Sequence, residues 1–153
     1  MTWENWFSVA STAALAGWVA LILLRHWPWL RLVLRYVLPG ALATAYTVLV
    51  LVYFFHADGG GFNSLAQVKA LLGTEPTLLA GWIHYLAFDL FVGTWIAERA
   101  DRLGLSRLLQ APILALTFLF GPVGYLLFIA VEFALRSTSI AIPEQSSNVK
   151  VLS

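Results

Sequence analysis

Two ionisable side chains stand inside one apolar run, Gly81-Trp-Ile-His-Tyr-Leu-Ala-Phe-Asp-Leu-Phe-Val-Gly-Thr-Trp95. Placing such a group in a bilayer costs about 2.5–3.5 kcal/mol on insertion scales, so an intramembrane His or Asp is a candidate functional group by default. On a helix, His84 and Asp89 lie about 140° apart in rotation and about 7.5 Å apart along the axis. Asp89 shares a face with Tyr85, one turn earlier, and lies near Trp82. His84 shares its stripe with Phe88, Phe91 and Trp95. The expectation is that both groups face one interior cavity, an acid and a base able to act on a lipophilic substrate. The competing reading makes them polar glue between helices.

A second signal follows in Leu116-Thr-Phe-Leu-Phe-Gly-Pro-Val-Gly-Tyr125. Pro122 has no N–H, so the carbonyl of Phe118 loses its helical partner and needs another one at membrane depth. Gly121 and Gly124 allow a close approach by a neighbouring backbone or a flat ligand. A bend at Pro122, with this turn set against the His84 or Asp89 level, is expected. Tyr46 and Tyr53 read chiefly as packing residues and His56 as an interfacial one. Glu132 and Arg136 suit a local i,i+4 ion pair.

Composition narrows the chemistry. The 153 residues are 60% hydrophobic and 11% charged, with no cysteine, three histidines and net charge +1; the mean hydropathy is +0.81. Soluble domains carry roughly 25% charge, so large soluble catalytic folds are excluded. No basic strip suggests nucleic acid. Without cysteine there is no disulfide, zinc–thiolate site, iron–sulfur cluster or C-x-x-C-H haem attachment. Three histidines are too few for a membrane di-iron site, and a haem on His84 lacks a second axial histidine. Lys69 and Lys150 fall outside the apolar runs, so an intramembrane Schiff base has no amine. No metal or cofactor is expected. Gly59-Gly60-Gly61 lacks the Gly-Lys-Ser/Thr of a phosphate loop and reads as a turn.

The elements that position these residues are apolar spans of about 20 residues. Four are expected, near 6–24, 36–55, 78–96 and 112–135. They form an all-α integral membrane four-helix bundle over 1–135, followed by a polar, flexible tail at 136–153. The first span has no basic n-region or cleavage site and is not a removable signal. The connection from Arg25 to Arg35 mixes arginines with tryptophans, an interfacial composition. Ser64 to Leu72 reads as a short amphipathic helix ended by Gly73 and lying along the surface. Arg25, Arg31, Arg35, Arg99, Arg102 and Arg107 lie in the first and third connections, against Lys69, Arg136 and Lys150 on the other side. This six-to-three bias predicts both termini on the non-cytoplasmic side, periplasmic in a bacterial inner membrane.

The run Trp82 to Trp95, followed by Leu116 to Gly124, resembles the plant membrane protein family "abscisic acid deficient 4" and its bacterial relatives, over about residues 6–135. Plant members are needed to convert violaxanthin to neoxanthin. The resemblance implies a membrane protein of xanthophyll metabolism, and the absence of a long transit region suggests a bacterial member. The reaction it implies is an isomerisation: an epoxide opens, a proton leaves a polyene carbon and an allene forms. It needs an acid and a base but no redox cofactor. His84, Asp89 and Tyr85 are the catalytic candidates. Trp82, Phe88, Phe91, Gly93, Trp95, Phe118, Gly121, Pro122 and Gly124 are candidates to hold the polyene. The alternative is a protein that binds carotenoid or lipid, or assembles a pigment complex, without turnover. The partners are then a carotenoid or other polyene lipid and the membrane lipids, with a homo-oligomer or pigment-complex partner left open.

Overall fold

A computed structural model describes residues 2–56 and 58–140, with side chains through 137. The described chain is helical throughout, without strands. Helix α1 (Trp3–Leu23) starts where the Thr2 hydroxyl accepts from the Asn5 N–H at 3.3 Å. Extended Trp27 precedes Pro28, which opens the short α2 (Pro28–Leu32) in the manner of an N1 proline. A π-helical turn at Val33–Val37 then leads into α3 (Leu38–Tyr53), which a 3-10 turn at Phe54–His56 closes. Pro39 cannot donate to the Arg35 carbonyl, and the wider turn just ahead of it absorbs that loss. The expected loop between Arg25 and Arg35 is therefore largely helical, and Pro28–His56 is one continuous apolar run.

Helix α4 (Leu65–Leu71) is the anticipated short helix, capped by the Ser64 hydroxyl accepting from the Gln67 N–H at 3.2 Å. Helix α5 (Glu75–Arg102) is the centre of the molecule. Its 28 residues span about 42 Å, and it packs against α1, α3, α6 and α7. Two buried clusters fill the contacts. One, around Trp18, Leu34, Leu90, Ile96, Leu114 and Phe128, lies toward the end where α1 finishes. The other, around Ala14, Leu42, Leu79, Ile83 and Leu86, lies toward the opposite end.

The fourth apolar segment departs from expectation. It forms two helices, α6 (Arg107–Phe120) and α7 (Pro122–Ile140), broken at Gly121. Helix α6 runs back along α5: Gln110 meets Asp101, and Phe118 reaches Tyr85. Helix α7 then reverses. Gly121 lies against Asp89, Tyr125 and Phe128 lie beside Trp95, and Glu132 pairs with Arg99 at 2.6 Å. The pair is a helical hairpin whose tip sits at Asp89, the midpoint of α5. At 14 residues, α6 covers about 21 Å, short of a roughly 30 Å hydrocarbon core. Only the runs Trp3–Leu23, Pro28–His56 and Glu75–Arg102 are both long and apolar enough to cross among the described residues. The expected single fourth helix is replaced by a hairpin of two helices, because Gly121 does not bend the helix but reverses it.

This changes the charge map. Arg136 bonds Glu132, which bonds Arg99, so Arg136 stands at the arginine end and not opposite it. The N-terminus of α1 and the last described turns of α7 thus lie toward opposite ends of α5. Helix α7 also continues to Ile140, past the expected start of the tail at 136. Lys150 and residues 141–153 lie outside the described residues.

Candidate functional site

The hairpin tip explains why its sequence is Gly-Pro. Gly121 adopts φ +35°, a left-handed conformation that favours glycine, and a Cβ there would stand 2.6 Å from Asp89 Oδ1. Pro122 takes the first position of α7, where a missing N–H costs nothing. The break leaves carbonyls without helical donors, and the substitute partner is Tyr85. Its hydroxyl donates to the Phe118 carbonyl at 3.0 Å and approaches the Leu119 carbonyl at 3.2 Å. Asp89, one turn further along α5, faces the start of α7, where an acidic group complements the positive end of a helix dipole. Its Oδ2 is buried without a hydrogen-bond donor among the described residues. The structure therefore gathers Tyr85, Asp89, Phe118, Gly121 and Pro122 around one turn.

His84 is not among them. It looks toward α3, with its ring 5.2 Å from Tyr46 and stacked on Phe88 at 4.6 Å. The two ionisable groups do not share a cavity, because the 140° between them is filled by α5 itself and each face has its own neighbour. His84 instead lines a groove of about 300 Å³ between α3, α4 and α5, with Tyr46, Phe54, Phe62, Leu72 and Thr77. Sequence reasoning missed this groove. Tyr46 read as a packing residue, and no spacing within one helix reveals which residue of another helix will face it.

The aromatic candidates divide. Phe88, Phe91 and Trp95 are 58%, 50% and 39% exposed, an open stripe running from His84 along α5. It is bordered by Tyr46 at one end and by Tyr125 and Phe128 at the other. Trp82 faces α1, with its indole N–H donating to Ser11 Oγ at 2.9 Å and its ring beside Phe7. The Phe118 ring packs inward on Trp18 at 5.6 Å.

The glycines do not offer room to a ligand, contrary to expectation. The Trp18 ring occupies the space a Cβ would need at Gly93, and the Thr117 backbone does so at Gly124. Both serve helix packing, the role small residues take inside membranes. No cluster of three or more His, Cys, Asp or Glu groups able to hold a metal is found among the described residues.

A third polar assembly closes the arginine end. Arg25, 3% exposed, donates to Asp101 Oδ1 at 2.9 Å and to the Gln110 side-chain oxygen. Gln110, 1% exposed, donates from its amide to Asp101 Oδ1 at 2.9 Å and to the Leu105 carbonyl at 2.7 Å. Burial lowers the pKa of Arg25 from its ordinary value while Asp101 opposes that shift. The guanidinium remains charged and ties α1 to α5 and α6.

No curated protein and no solved structure shows significant similarity to this chain. A sequence profile described as ABA DEFICIENT 4-like matches residues 5–128, which includes the third apolar run, the hairpin tip and most of the described helices. With that match over most of its length, the chain belongs to the ABA4-like family of carotenoid-related membrane proteins.

Proposed function

We propose that the protein holds a xanthophyll along α5 and isomerises its epoxide end group, with His84 at the reacting ring. The observation that carries this reading is the open aromatic stripe of Phe88, Phe91 and Trp95 on the central helix. Phe88, Phe91 and Trp95 run from His84 over eleven residues, about 16 Å of rise. A carotenoid is about as long as the hydrocarbon core, roughly 30 Å. With its polyene against the stripe, its end ring reaches the groove beside His84, Tyr46 and Thr77.

The chemistry requires one proton to reach the epoxide oxygen as its C–O bond breaks, and one to leave the adjoining polyene carbon as the allene forms. Electrons are conserved and no cofactor enters. Imidazole suits either transfer near neutral pH, and Tyr46 is the neighbouring hydroxyl-bearing ring. In this reading Asp89 and Tyr85 act by positioning the hairpin that borders the stripe, and not by touching the substrate. The arginine end is cytoplasmic: seven arginines, Arg136 included, gather there against Lys69 alone at the other end among the described residues.

The test is expression in carotenoid-producing bacteria with chromatographic analysis of the pigments. His84→Ala should abolish conversion while the protein inserts and purifies normally. Asp89→Asn should lower the yield of folded protein and leave conversion per folded molecule largely intact. Full conversion by His84→Ala would refute the assignment. Co-purifying pigment with unchanged product ratios in the wild type would establish binding without turnover.

A further inference from the structure

We propose that the cleft between α2 and the end of α5 is a binding site for the phosphodiester headgroup of an anionic membrane lipid. The arginines that look alike in sequence divide sharply in the fold. Arg25 is buried on Asp101 and Gln110, and Arg35 pairs with Glu98 at 2.5 Å. Arg99 and Arg136 both pair with Glu132. The Arg31 side chain makes no hydrogen bond or ion pair among the described residues. Arg102 donates from Nε to the Glu98 carbonyl at 3.3 Å, reaches the Glu98 carboxylate at 3.7 Å and is 64% exposed.

Arg31 and Arg102 line one cleft of about 390 Å³ with Glu98 and Asp101. Both carboxylates there already have guanidinium partners in Arg35 and Arg25. The cleft therefore carries uncompensated positive charge on two forked donors, the geometry that guanidinium groups use to bind phosphate.

Its surroundings place it at headgroup depth. Trp27 and Trp29 stack at 6.0 Å on the same short segment and are 46% and 61% exposed. Indoles settle at the membrane interface. Leu32, one residue past Arg31, is 58% exposed on the adjoining apolar surface, where acyl chains would lie. A zwitterionic headgroup would bring its own cation into an already positive cleft. A single net negative charge on a phosphodiester answers it directly, as basic residues attract anionic lipid at a membrane surface. The site stands at the opposite end of the molecule from the His84 groove and does not depend on the reading given for that groove.

The full chain, purified in detergent and presented with equal amounts of phosphatidylglycerol and phosphatidylcholine, should retain phosphatidylglycerol about fivefold or more in preference by native mass spectrometry. The double variant Arg31→Gln, Arg102→Gln should bring the two lipids to parity, and Lys69→Gln, at the other end, should leave the preference intact. Arg31→Gln alone removes no side-chain hydrogen bond or ion pair among the described residues, so its partial loss of preference separates lipid binding from folding. Millimolar inorganic phosphate should not displace the lipid. Undiminished preference in the double variant would overturn the proposal. So would displacement by inorganic phosphate, which would assign the cleft to a free anion.

Discussion

Tyr85→Phe isolates one hydroxyl. The ring stays, with its packing against Trp82 at 5.5 Å, and the hydroxyl that donates to the Phe118 and Leu119 carbonyls and lies beside the Asp89 carboxyl is removed. In water such a carbonyl would turn to solvent and the loss would be small. At the midpoint of a membrane helix it has no solvent. Interhelical hydrogen bonds in membranes average about 0.6 kcal/mol, with a maximum near 1.7, and an orphaned buried acceptor costs about 1–3 kcal/mol. Here one donor serves two carbonyls at a helix break, so a loss of about 1–2 kcal/mol is expected, a factor of about 5–30 in the folding equilibrium. Reversible unfolding in mixed detergent micelles, followed by helical circular dichroism, measures it. Tyr46→Phe is the control, because its hydroxyl makes no hydrogen bond among the described residues, and it should change stability by less than about 0.5 kcal/mol. A Tyr85→Phe protein as stable as wild type would show that the broken helix finds its partners elsewhere and that the proposed role of Tyr85 is wrong.

Three further outcomes follow from the same geometry. Gly121→Ala places a methyl on Asp89 in a backbone conformation disfavoured for alanine and should destabilise the protein by about 1–3 kcal/mol; adding Asp89→Ala should recover only the steric part, and complete recovery would exclude backbone strain. Asp101→Asn removes the charge that faces buried Arg25 and should cost about 2 kcal/mol in the same unfolding assay, whereas an unchanged midpoint would mean that Gln110 suffices. In this cysteine-free chain, single cysteines at Gly60, Ser106 and Ser137 should label from outside at Gly60 alone; labelling of Ser137 together with Gly60 would restore a fourth crossing.

Much of this arrangement is legible in the residues. The apolar runs place the three long helices, Ser64 and Gly73 bound the short one, and Pro122 announces a carbonyl in need of a donor. Which donor answers it is a tertiary matter: Tyr85 lies 33 residues away from Phe118. Hydropathy cannot distinguish one continuous helix from a helical hairpin, because the same apolar side chains compose both. The reversal depends on the backbone at Gly121, and glycine by itself permits either path. The separation of His84 from Asp89 was implicit in their 140° offset. The expectation of one shared cavity failed because a helix with neighbours on several sides presents different surroundings to each face. The glycines misled for a related reason: a close approach is readable, but its occupant, Trp18 or Thr117, is not.

The hairpin of α6 and α7 also bears on how the chain enters the membrane. A helix that crosses can be released into lipid alone, since its backbone groups are satisfied from within. The tip at Gly121 cannot, because its free carbonyls rely on a hydroxyl supplied by α5. That helix is synthesised first, so Tyr85 is already in the bilayer when the tip emerges, and the two arms of the hairpin must insert together against it. Biogenesis of this protein is thereby ordered by its covalent sequence, and a circular permutation that places residues 107–140 ahead of residue 75 would deliver the tip before its partner exists.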